Sequence, residues 1–96
     1  MALPPEANIV EGCTFSELSH IIRRDMEDGL HRRHRPPIGL TLYLNARLAA
    51  DARQPENGTV LIAWARAQGT QEVSIRVDSA NKFLTPEQCA YWLRWN

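Results

Sequence analysis

Cysteine is scarce in this chain. Cys13 and Cys89 are the only two in 96 residues, too few for a small secreted scaffold held by disulfides. Two reduced, partly buried thiols are expected, with one Cys13–Cys89 bridge as the alternative. Long apolar runs are also missing. No stretch reaches the ~18 residues of a membrane span, so no membrane association is expected. The first residues, through Pro4, Pro5 and Glu6 to Asn8, lack a basic segment followed by an apolar one. A secretory signal is therefore not expected, and the cytoplasm is the default compartment. Excess charge of either sign is absent too. Eleven basic residues balance eleven acidic ones, and the pI is about 6.8. That balance disfavours whole-molecule attraction to nucleic acid or to an anionic bilayer, and leaves room for local patches.

The motifs of common chemistry are lacking. The five glycines are scattered, and neither a dinucleotide fingerprint, a P-loop nor a nucleophile elbow is present. His31 and His34 are spaced to share a helix side, but a third ligand is not near them in sequence, so no metal is expected. Cys13 with His20 or His31 is the one conceivable nucleophile pair, and nothing local marks an activating environment. No catalytic residue and no cofactor is expected, and an enzyme is disfavoured.

What is present describes one small domain. Composition is ordinary for a globular chain, at 44% hydrophobic and 23% charged. Residues 1–12, with Pro4 and Pro5, read as an extended arm, and 13–96 as the single domain. Thr14 and Glu17 have the spacing of a capping box. Behind them Phe15, Leu18, Ile22, Met26 and Leu30 recur at steps of three and four. That spacing predicts a helix over 14–32, weakened near its end by Gly29 and stopped by Pro36 and Pro37. Leu40, Leu42 and Leu44 alternate with Thr41, Tyr43 and Asn45, favouring a strand over 39–45 followed by a short helix over 46–53, while Leu40, Leu44, Arg47 and Leu48 also fit a helix, the competing reading. Gln54 to Gly58 is a break, with Asn57-Gly58 reading as a turn. Thr59 to Ala65 is β-branched and aromatic and reads as a strand, with a short buried helix as the alternative that its period also allows. Val73, Ile75 and Val77 alternate with Glu72, Ser74 and Arg76, the clearest strand of all. Thr85, Pro86 and Gln88 look like the start of a last helix, 86–95. The expected fold is α+β: a long N-terminal and a short C-terminal helix on a small antiparallel sheet, in the order α-β-β-β-α.

That order resembles the double-stranded-RNA-binding domain. The family begins its last helix with a lysine-rich segment that holds phosphate. Here the segment reads Thr85-Pro86-Glu87-Gln88-Cys89-Ala90. The resemblance therefore implies topology and no RNA-binding role.

Two local concentrations remain. Arg23, Arg24, Arg32, Arg33 and Arg35 lie between residues 23 and 35, interleaved with Asp25, Glu27 and Asp28. Cations collect at helix ends because the dipole favours them there, but such a cluster can also grip a partner. Two of the three tryptophans close the chain in Tyr91-Trp92-Leu93-Arg94-Trp95. On a helix, Trp92 would face the core with Cys89 and Leu93, leaving Tyr91 and Trp95 outside. Aromatic residues and arginine anchor protein interfaces; the alternative use is to cover a sheet edge. The expected function is a small non-catalytic regulator that binds another protein, as an inhibitor, antiactivator or adaptor of a bacterial or phage circuit. Its expected binding residues are Tyr91, Trp92, Trp95, Arg94, Arg32, Arg33 and Arg35, and a homodimer through the aromatic patch is expected. The alternative is a nucleic-acid-binding transcriptional regulator using Arg23, Arg24, Arg32, Arg33 and Arg35.

Overall fold

The computed structural model describes residues 3–12, 14–54, 56, 58–77 and 88–95. The elements are β1 (Asn8–Glu11), α1 (Phe15–Arg33), β2 (Gly39–Leu44), α2 (Ala46–Ala52), α3 (Gly58–Ala67), β3 (Glu72–Val77) and β4 (Gln88–Arg94). They form an α+β domain, with helices packed on a four-stranded sheet of order β1-β4-β2-β3.

Helix α1 follows its sequence signals closely. The Thr14 hydroxyl accepts from the Glu17 N–H at 3.2 Å, capping the first turn. Phe15, Leu18, Ile22 and Met26 are buried. At the other end His34 turns left-handed (φ 58°), and its N–H donates to the Leu30 carbonyl. The strand over 39–45 and the helix over 46–53 are also present, as β2 and α2. The Asn45 side chain caps α2 by accepting from the Leu48 N–H at 2.9 Å.

Three segments differ from expectation. Residues 8–11, inside the stretch read as an extended arm, pair with β4 as β1. Residues 59–65, expected as a strand, lie in helix α3. Leu61 and Ala65, one helical turn apart, are both fully buried, with Trp64 packed against the core beside them. Ala63, Ala65 and Ala67 favour the helix, and that outweighs the β-branched start of the segment. Residues 88–94, expected in a C-terminal helix, form strand β4. Here tertiary pairing overrides local propensity. β4 is hydrogen-bonded on both sides, antiparallel to β1 and to β2, and Tyr91 and Trp92 suit a strand. Residues 85–87, which looked like the helix start, lie outside the described residues, as does Cys13.

The sheet is mixed rather than purely antiparallel. β2 and β3 run parallel, because α2 and α3 carry the chain back between them, as a parallel crossover requires. The chain order is therefore β-α-β-α-α-β-β, and the topology of the double-stranded-RNA-binding domain is not the one adopted.

Side-chain alternation sorts the sheet into two faces. Leu40, Leu42, Leu44, Cys89 and Tyr91 join Phe15, Leu18, Ile22 and Met26 of α1 and Leu61 and Ala65 of α3 in one core. The Cys89 sulfur accepts from the Asn45 N–H at 3.4 Å. The intervening positions, among them Ile9, Thr41, Ser74, Arg76 and Trp92, fall on the opposite face. Among the described residues, no helix is long and apolar enough to cross a membrane.

Candidate functional site: a groove between helix α1 and strand β4

The inward stripe of β4 meets one stripe of α1. On the strand it is Tyr91, Leu93 and Trp95; on the helix it is Asp25, Gly29 and Arg33, four residues apart. Eight helical residues rise about 12 Å and four strand residues about 13 Å, so the two stripes stay in step. At one end the Tyr91 hydroxyl donates to the Asp25 carboxylate. At the other, the Trp95 ring lies over Gly29, filling the space where a Cβ would stand. The Arg33 guanidinium stacks on the same ring, 4.8 Å from its centroid. Gly29, expected only to weaken the helix, is thus the seat of Trp95.

These contacts border a groove of about 600 Å³. Its walls are Asp25, Asp28, Arg32 and Arg33 from α1, Trp92 to Trp95 from the end of β4, and Glu6 and Asn8 beside β1. Glu6, Asp25 and Asp28 border it with Arg32 and Arg33, so the groove is polar, aromatic and carries both signs of charge, while the Arg94 guanidinium is turned away across β2. Arg32 is exposed, and its Nε donates to the Asp28 carbonyl at 3.4 Å. Arg94 is half-buried and pairs with Glu72 of β3. Its Nε is buried without a hydrogen-bond partner among the described residues.

Five of the seven residues expected to bind a partner therefore line one groove: Arg32, Arg33, Trp92, Arg94 and Trp95. Arg35 is exposed beyond the end of α1 and is not among the lining residues. Tyr91 was expected to point outward from a helix. In the strand it turns inward and is 1% exposed, so it supports the groove from beneath. Trp92, expected toward the core, lies on the other face, half-buried. The acidic members Glu6, Asp25 and Asp28 were not anticipated. Glu6 and the β4 residues lie more than 80 positions apart, and the β1–β4 pairing brings them together.

The arginine cluster does not act as one patch. Arg23 is half-buried, with its guanidinium 5.4 Å from the Trp64 ring centroid. Arg33 is committed to Trp95. Arg24, Arg32 and Arg35 are exposed, and Arg24 lies 3.6 Å from the Asp25 carboxylate. His31 and His34 are exposed at the helix end. A second groove, of about 660 Å³, lies at the other end of α1. Ser16, Glu17, His20 and Arg23 border it, with Glu56 and Val60 from the α3 side.

Comparison with known protein families, curated proteins and solved structures finds no match.

Proposed function

We propose that this chain is a small, non-catalytic, cytoplasmic regulator that binds another protein in the groove between α1 and β4. Inhibitor, antiactivator or adaptor roles in a bacterial or phage circuit all fit that mode of action. One observation carries the reading: residues from opposite ends of the sequence, Glu6 and Arg32 to Trp95, converge on one aromatic groove in which both charge signs are present. A nucleic-acid site would place cations without matching acids along a phosphate track. Here Glu6, Asp25 and Asp28 border the groove with Arg32 and Arg33, and two arginines of the cluster are held on tryptophan rings. Tryptophan and arginine flanked by carboxylates suit a peptide surface with apolar and charged side chains of both signs.

Affinity capture with the purified chain and matched variants tests this. Arg32→Glu and Arg33→Glu alter the groove without removing a buried core residue; Arg53→Glu, exposed after α2, is the control. With circular dichroism unchanged, the groove variants should lose a protein that the parent and the control retain. Retention by both groove variants would overturn the reading. Capture of DNA or RNA that falls steeply with salt and is lost in Arg24→Glu/Arg35→Glu would replace it with the nucleic-acid alternative.

A further inference from the structure

Strand β3 ends the sheet on one side. Among the described residues β2 is its only neighbour. The Glu72 N–H donates to the Ile38 carbonyl at 3.0 Å, so the peptide groups of Glu72, Ser74 and Arg76 turn toward β2. Those of Val73, Ile75 and Val77 alternate with them and face outward along an edge that no other described strand covers. Natural edges are commonly protected by a proline, a bulge, an inward-pointing charge or charged side chains along the strand. β3 has no proline, bulge or inward charge, and its two charged residues, Glu72 and Arg76, are of opposite sign and so complement a second copy in place of repelling it. It pairs one-to-one with β2 over all six residues, from Glu72 to Val77. Its charged side chains, Glu72 and Arg76, point to the face away from the helices. Arg76 is exposed and makes no ion pair among the described residues, and Val77 is 40% exposed.

We propose that this edge pairs antiparallel with the same edge of a second copy, across a two-fold axis through Ser74. Two four-stranded sheets then become one. Charge selects the register. Centring on Ser74 sets Glu72 of each copy against Arg76 of the other, and Val73 against Ile75. Centring on Glu72 or on Arg76 sets like charges opposite one another, and centring on Val73 or Ile75 forms neither ion pair. The hydrogen bonding agrees. In the Ser74-centred register Val73 and Ile75, whose peptide groups face outward, become the hydrogen-bonded pairs. Glu72 and Arg76 become non-hydrogen-bonded pairs, in which side chains approach most closely. Glu72 would then be shared between Arg94 of its own chain and Arg76 of the second copy. The inference goes beyond the proposed function and does not rest on it. β2 separates β3 from β4, so the groove stays open in the dimer, and self-association moves from the aromatic patch to the opposite side of the sheet.

Sedimentation of the intact chain, with charge-reversed variants, tests the proposal. Arg76→Glu and Glu72→Arg should each weaken dimerisation by about tenfold or more, since each sets like charges opposite one another twice. Mixed in equal amounts the two variants should dimerise again, because both cross-copy pairs regain opposite signs. Crosslinking covers the case in which Glu72→Arg fails to fold. In a Cys13→Ser background, Ser74→Cys should form a disulfide-linked dimer under mild oxidation, its two copies lying about 4.5 Å apart at Cα. Ile75→Cys should not. A parent chain that stays monomeric up to about 1 mM would overturn the proposal. So would a dimer indifferent to both charge reversals, or equal crosslinking at positions 74 and 75.

Discussion

Replacing Gly29 by alanine sets two effects of opposite sign against each other. Alanine in a helix interior is favoured over glycine by about 1 kcal/mol. Against this, the new methyl group would occupy the space of the Trp95 Cη2 and Cζ2 atoms, and the ring must lift away. A tryptophan buries ~150–250 Å² when fully packed. Losing about 60 Å² of that contact costs about 1.5 kcal/mol. Loosening the Arg33 stack on the ring removes a further ~0.5–1 kcal/mol. The seating term wins, and Gly29→Ala should destabilise the fold by about 1–1.5 kcal/mol, a fall in Tm of roughly 4–8 °C for a domain of this size. The decisive measurement is the same substitution made in a Trp95→Ala background. With no ring to displace, only the propensity term remains, and Gly29→Ala should now stabilise by about 1 kcal/mol. Urea unfolding followed by far-UV circular dichroism gives both values without relying on the fluorescence of the deleted tryptophan. A stabilising effect in both backgrounds would show that Trp95 is not seated on Gly29, and the wall of the groove would have to be redrawn.

Other substitutions probe single contacts. Tyr91→Phe removes the hydroxyl that donates to Asp25 and leaves a half-buried carboxylate without that donor; a loss of about 1–2 kcal/mol is expected in urea unfolding, and an unchanged midpoint would refute the contact. Thr70 is 2% exposed and its hydroxyl has no hydrogen-bond partner among the described residues, so Thr70→Val, of nearly the same shape, should raise stability by ~1 kcal/mol. A lower Tm in that variant would mean the hydroxyl is in fact satisfied. Asn45→Ala removes the side-chain acceptor at the start of α2 and should cost ~1 kcal/mol, read from the same unfolding curves; a neutral result would show that the cap contributes nothing.

Periodicity served where one element decides its own burial. Phe15, Leu18, Ile22 and Met26 could be assigned to a buried stripe because an α1 of 19 residues repeats its pattern several times and carries its own caps. The same held for Leu40, Leu42 and Leu44 in β2 and for Val73 and Ile75 in β3. It failed where neighbours decide. A central strand such as β4 gains hydrogen bonds on both sides, and nothing within Gln88 to Arg94 announces those partners. Thr59 to Ala65 was short enough to fit either period, and the burial of Leu61 and Ala65 four residues apart resolves it. For the groove, residue type was informative and placement was not. Tryptophan and arginine at the two ends of the pattern pointed to Arg32, Arg33, Trp92, Arg94 and Trp95. That they share one groove, and that Glu6, Asp25 and Asp28 balance them, follows from β1 reaching across to β4.

The position of β4 also has consequences in time. It is the last strand in the chain and lies between β1 and β2. Among the described residues β1 has no other neighbour, and its pairing with β4 joins residues about 80 positions apart. A chain shortened before Gln88 would leave β1 with nothing to pair and β2 with one bare edge. The helices and the β2–β3 unit have mostly local partners and can gather early; the sheet is completed by its most distant contact. Folding should therefore be slow for so short a chain, with the cost of closing that loop met in the rate-limiting step. Until then the open strand edges of β2 and β3 are available to other molecules, so the risk of aggregation should be highest in the interval before β4 inserts.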